Sequence, residues 1–126
     1  MVEIGPDLRA FWRERHLCTV TTLRRDGSPH VTPMGIVLEP ERGLAWGITS
    51  GSSQKVRNVE ATRRIAVCQV DGRRWSTLEG TAMVLRDPES VRGSVARYAE
   101  RYRQPRENPA RVTIRIEVER VLGNVR

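Results

Sequence analysis

The sequence predicts one α+β domain over residues 1–126, with about six mostly antiparallel strands and flanking helices. Three observations carry that expectation. Asp26-Gly27 and Asp71-Gly72 are tight-turn signals, each set between runs rich in β-branched residues. Val112, Ile114, Ile116 and Val118 alternate strictly with Thr113, Arg115, Glu117 and Glu119, the mark of a half-buried strand. Asp87-Pro88-Glu89 supplies a cap, a proline at the first helical position and an acid in the first turn of a helix. Six such strands can close into a small barrel, although propensity alone does not dictate closure.

Taken in order, Asp7 can cap a short helix from Leu8 to about His16, with Leu8, Phe11 and Trp12 at helical spacing. Leu17–Leu23 is a strand, and its hairpin partner runs from His30 to about Leu38 with Pro33 in its middle. That proline removes a ladder hydrogen bond and predicts a bulge or an edge. Leu44–Thr49 forms a third strand, Gln54 to about Ala61 a short helix, and Ile65–Val70 a strand closed by Asp71-Gly72. Trp75–Leu85 reads as a long strand bent at Gly80. The helix after Asp87 places Val91, Val95, Tyr98 and Tyr102 on one face, and Pro105 and Asn108-Pro109 end it before the last strand.

With 22 Lys+Arg against 15 Asp+Glu the net charge is +7, so anionic partners are favoured. Arginines are scattered along every element and aromatic residues make up only 5% of the chain, which disfavours a nucleic-acid stacking platform. Cys18 and Cys68 lie in apolar strand-like runs and read as small hydrophobes. No apolar run reaches the roughly 20 residues of a membrane span, and no secretory signal is present, so the expected setting is cytoplasmic with no membrane partner.

The stretch Thr49-Ser50-Gly51-Ser52-Ser53-Gln54-Lys55-Val56-Arg57-Asn58 holds the one lysine among the 22 basic residues. Hydroxyls, a flexible glycine and a helix beginning at Ser52 or Ser53 would make a phosphate site with Lys55. An ordinary capped helix with a lysine on its first turn accounts for the same residues. Neither a Walker loop nor a Gly-x-Gly-x-x-Gly is present. His16 and His30 have no partner at metal-ligand spacing, so no metal is expected, and no residue declares itself as catalytic. An enzyme of this sequence would rely on a bound cofactor.

The element order, His30-Val31-Thr32-Pro33-Met34, Ser53-Gln54-Lys55-Val56-Arg57-Asn58 and Leu78-Glu79-Gly80-Thr81-Ala82 resemble the split β-barrel flavin and deazaflavin oxidoreductases related to pyridoxamine phosphate oxidase. Glu14-Arg15-His16-Leu17, Gln69-Val70-Asp71-Gly72 and Glu119-Arg120-Val121-Leu122-Gly123 narrow the resemblance to the actinobacterial coenzyme F420-dependent branch, in particular to its members that reduce biliverdin. The resemblance implies an FMN-binding split barrel that forms a homodimer, with a cofactor in the groove between copies. It implies coenzyme F420, with FMN as the alternative, and hydride transfer from the reduced deazaflavin to a small conjugated acceptor such as biliverdin or a quinone-like compound. A protein that binds the cofactor without turnover is the other alternative. The phosphate would be held by the loop and helix from Thr49 to Arg57, where Lys55 would pair with it, Ser50 and Ser53 would donate hydrogen bonds, and Gln54 and Arg57 would be second choices. The ring would rest against His30, Thr32, Pro33 and Met34, with Trp75 and Arg74 reaching in from the partner chain. Several relatives carry arginine where this chain has Ser53, which bears on the choice of cofactor.

Overall fold

Residues 2–126 are described by a computed structural model. The elements run α1 (Pro6–Phe11), β1 (Cys18–Leu23), β2 (Pro29–Met34), β3 (Ile36–Glu39), β4 (Leu44–Ser50), α2 (Gln54–Thr62), β5 (Arg64–Asp71), β6 (Arg74–Leu85), α3 (Pro88–Arg101) and β7 (Arg111–Gly123). The strands form one antiparallel sheet in the order β2-β1-β5-β6-β7-β4-β3. β2 and β3 lie at opposite edges of that sheet, yet only Gly35 separates them in the chain. A single residue can join the two edges only if the sheet curls until they meet, so the architecture is a split barrel with a seam at Gly35.

The strand expected over His30–Leu38 is therefore two strands broken at Gly35, and of the bulge or edge expected at Pro33 it is the edge that is found. A Cβ on Gly35 would lie 2.8 Å from the Tyr98 ring and 2.9 Å from the Tyr102 ring, so only glycine lets the chain turn there under α3. Pro33 stays in register opposite Thr19 on the edge strand β2, where its missing N–H costs no ladder bond. The bend expected at Gly80 is a register shift between Glu79 and Gly80 against β7, at a point where a Cβ would lie 1.8 Å from the Glu117 carbonyl oxygen.

The first helix begins earlier and ends sooner than expected. Pro6 occupies its first turn, Gly5 is the N-cap without a side-chain bond, and Asp7 lies inside the first turn. Phe11 and Trp12 are buried nonetheless, and the Trp12 indole Nε1–H donates to Ser76 Oγ at 3.0 Å. Of the expected α3 face Tyr102, at the C-cap, is buried, while within the helix the deepest residues are Ser94 and Arg101, and the Ser94 hydroxyl meets that of Thr113 on β7 at 2.5 Å. Val20, Ile36, Val67, Leu78, Ile114 and Ile116 fill the barrel interior. No helix among the described residues is long and apolar enough to cross a membrane.

Candidate functional site

β4 delivers the chain to Ser50, and the next residues turn sharply into α2. The Gly51 N–H donates to the Ala110 carbonyl at 2.8 Å, and the Ser53 N–H donates to the Ser50 carbonyl at 3.1 Å. Ser53 is the N-cap of α2, its Oγ accepting from the Val56 N–H at 3.4 Å and lying 3.4 Å from Thr49 Oγ1. Capping leaves the first backbone N–H groups of the helix directed out of its start, a local preference for anions. Lys55 stands one residue inside that start, partly buried, and burial pulls its ammonium below the ordinary lysine pKa. Among the described residues no ion pair includes Lys55, so its charge is left for a ligand.

A cavity of about 450 Å³ opens at the barrel seam. Thr49, Ser50 and Lys55 form its polar side together with Asn108 and Arg111, while Pro33, Met34, Gly35, Ile48, Leu17 and Tyr98 form the apolar side. An anionic end and a flat apolar body are the ligand features that such walls accommodate. Asn108 donates from Nδ2 to Ser50 Oγ at 2.9 Å, which orients that hydroxyl toward the loop before β7.

The remaining sequence candidates sit around this cavity instead of in it. Gln54 and Arg57 bond to each other, Arg57 Nη2 to Gln54 Oε1 at 2.6 Å, and line a separate groove with Arg24 and Arg25. His30 and Thr32 alternate with the exposed residues of β2, and His30 Nδ1 and Thr32 Oγ1 are buried without a hydrogen-bond partner. Burial lowers the His30 pKa first, with the Arg24 and Lys55 charges acting in the same direction, so its imidazole is neutral near pH 7. Trp75 lies on the β5–β6 hairpin, away from the cavity of its own chain, and is 39% exposed. Arg111, Asn108 and Tyr98 are cavity residues that sequence reasoning missed. Arg111 reaches the site because it pairs across the sheet with Ser50, a register no local motif announces.

Glu14, His16 and Asp71 bring possible metal-ligating atoms within 4.8 Å of one another. The Arg74 guanidinium already serves this cluster, donating to Glu14 at 2.7 and 3.0 Å and to Asp71. Those contacts, Arg74 foremost and His16 next, push the Glu14 carboxyl down to about 2.

A phosphate-bearing heteroaromatic cofactor suits the donor set: one unpaired lysine at a helix start, oriented hydroxyls, and an apolar shelf beside polar atoms that lack partners. Comparison with known proteins points the same way. The chain is 48% identical over 121 residues to a reduced-F420-dependent biliverdin reductase of Mycobacterium tuberculosis, covering 96% of this chain and 88% of that one. A conserved hypothetical protein from Mycobacterium tuberculosis superposes with a TM-score of 0.79 at 24% identity, covering 97% of this chain and 89% of that one. A protein described as an F420 reductase superposes with a TM-score of 0.76 at 21% identity, covering 96% and 98% of the two chains. The pyridoxamine 5'-phosphate oxidase family profile matches residues 4–124, and the chain belongs to that family.

Proposed function

We propose that this protein is a homodimeric reductase that uses reduced coenzyme F420 to reduce a small conjugated acceptor of the biliverdin type. The observation that carries the reading is the convergence of Lys55, Ser50 and Thr49 on one cavity beneath the Pro33–Gly35 strand end, in a chain 48% identical to a biliverdin reductase. The bound deazaflavin would supply the hydride. Lys55 holds the phosphate, with Ser50 and Thr49 donating hydrogen bonds, and Ser53 contributes as the cap that fixes the helix start. Met34, Pro33 and Ile48 give the ring an apolar shelf that excludes water from the transfer. His30 and Thr32 support that shelf from the buried side of β2, and Arg57, held by Gln54, extends the positive surface beside the cavity. With Ser53 committed to capping, phosphate charge falls to Lys55 and the nearby Arg111. The net charge of +7 favours a cofactor whose tail carries several carboxylates over a single phosphomonoester, which ranks F420 above FMN.

The dimer reading rests on one face of the sheet. Pro33, Thr19, Cys68, Thr77 and Leu122 lie in one row across β2, β1, β5, β6 and β7. Val31 and the Val70–Trp75 pair flank that row, and Val31, Val70, Trp75 and Leu122 are all exposed, an apolar surface suited to a second copy. Docking there would bring Trp75 of one copy toward the other's cavity rim at Leu17 and Pro33. Cytoplasm, where Cys18 and Cys68 stay as free thiols, is the setting we assign.

Titration of the apo-protein with F420 and with FMN tests the reading. F420 should bind at micromolar levels or better and more tightly than FMN, and biliverdin should oxidise the bound reduced cofactor in a stopped-flow experiment. Binding of neither cofactor ends the proposal. Binding without acceptor-dependent oxidation makes the protein a carrier.

A further inference from the structure

Behind the seam lies a buried arginine that forms no ion pair with a carboxylate among the described residues. Arg101, 8% exposed at the end of α3, donates from Nη1 to the Ile36 carbonyl, from Nε and Nη2 to the Glu14 carbonyl at 3.0 and 2.7 Å, and from Nη2 to Gln69 Oε1 at 2.6 Å. Gln69 is itself held by its Nε2–H donating to the Phe11 carbonyl at 2.9 Å. Next to it the Tyr102 hydroxyl accepts from the Ile36 N–H at 3.2 Å and donates to the His16 carbonyl at 2.7 Å. Burial pushes that phenol up to about 12, so it remains a neutral donor throughout the physiological range. The Tyr98 and Tyr102 rings, 5.0 Å apart between centroids, close over Gly35 from the same side.

The Ile36 N–H and carbonyl and the Gly35 Cα face are held by these α3 side chains, which are braced in turn by the Glu14 and His16 carbonyls and by Gln69. Desolvating a guanidinium against carbonyl dipoles and the Trp12 and Tyr102 ring faces is costly, and the interior offers cheaper ways to fill space. Ile36 is the first residue of β3, and its N–H bond to the tyrosine is made at the seam, where β2 and β3 do not pair with each other. One step away, Pro33, Met34 and Gly35 line the ligand cavity, and Tyr98 lines it as well. The sheet holds Pro33 and Met34 through β1, and α3 holds the crossover that ends this wall of the cavity.

We propose that Tyr102 and Arg101 are positioning residues for the cavity: they clamp the Gly35–Ile36 crossover so that the Pro33–Gly35 shelf is set before a ligand arrives. Placement of the deazaflavin ring on that shelf rests on the functional reading above. The clamp itself does not touch the Lys55 end of the cavity, where a phosphate would be held. The two ends can therefore be separated by experiment.

Tyr102→Phe keeps the ring over Gly35 and removes the hydroxyl, leaving the Ile36 N–H without its partner. The F420 dissociation constant should rise about tenfold, the size expected from one buried donor left unpaired. Inorganic phosphate affinity, read by competition with the cofactor or by calorimetry, should stay within about twofold, since Lys55 is unaffected. Amide hydrogen exchange should accelerate at Gly35 and Ile36 above the change elsewhere. Ser94→Ala, which removes a buried α3 hydroxyl bonded to Thr113 on β7 and not to Gly35 or Ile36, serves as the comparison for a merely destabilised helix. Unchanged F420 affinity in Tyr102→Phe, or equal losses of phosphate and F420 in both variants, would overturn the proposal. Should the wild-type chain bind no deazaflavin, the functional reading falls. The exchange pattern then decides the clamp alone: local acceleration supports it and uniform acceleration refutes it.

Discussion

Asn58 Nδ2 donates to Thr22 Oγ1 at 3.0 Å, a buried bond that ties the middle of α2 to β1. It fixes the height of the helix start that carries Lys55, because Val56 and Val59 on the same face are also fully buried. Asn58→Ala leaves the Thr22 hydroxyl in the core without a partner. Its stability in urea denaturation should fall by about 1–3 kcal/mol. A loss below about 0.5 kcal/mol would mean that the pair does not anchor the helix.

Lys55 is the site residue with the most direct test. Lys55→Ala should weaken F420 binding by about 1–3 kcal/mol and phosphate binding alongside it, as expected for removal of a charged hydrogen-bond partner. Arg111→Ala should weaken the same binding to a smaller extent, since Arg111 also donates to the Arg106 carbonyl. Equal affinity in wild type and Lys55→Ala would move the anion site elsewhere.

Stability should depend on pH in two separable windows. His30 has its folded pKa lowered from 6.5, by burial first, so the unfolded chain binds its proton at a higher pH than the fold does. Stability is therefore full above about 6.5 and declines as pH falls below that value toward the folded pKa. The Glu14 carboxyl, held down to about 2 from 4.5, contributes stability above about 4.5 that is lost as pH falls toward 2. Thermal midpoints measured from pH 7 to 5 should drop, and His30→Gln should flatten that drop without altering the acid limb. A His30→Gln curve parallel to wild type through this range would remove His30 as the cause.

The Gly80 bulge admits no side chain. A Cβ there would meet the Glu117 carbonyl oxygen at 1.8 Å, and both residues belong to paired strands. Gly80→Ala should cost about 2–4 kcal/mol, seen as a lower denaturation midpoint with an unchanged denaturant slope. Wild-type stability in that variant would show that β6 and β7 can re-register around it.

The sheet face carrying Val70 and Trp75 offers a test of assembly. Val70→Glu places a charge among exposed apolar residues and should convert a dimer to a monomer in sedimentation velocity, with Lys55-dependent phosphate binding retained. A wild-type chain that sediments at its single-chain mass would remove the interface.

Elements that depend on short-range chemistry are written in residues close together in the chain. Asp-Gly turns, the Asp87-Pro88 helix start, the Ser53 cap and the β7 strand are decided by residues within a few positions of one another, and each is found where periodicity and turn chemistry placed it, although Thr113, expected on the polar face of β7, is buried against Ser94 of α3. Lys55 was legible for the same reason, as a single lysine one residue inside a capped helix start. Long-range closure was not. The break at Gly35 depends on Tyr98 and Tyr102, more than 60 positions away, and the recruitment of Arg111 depends on its register opposite Ser50. Arg101 reads in sequence as one more surface cation, and only the curled sheet turns it inward to hold the seam. Local sequence encodes the strands and the anion-binding turn. Tertiary packing decided where the barrel splits, and so which residues face the ligand, because steric exclusion and cross-strand register act between residues far apart in the chain.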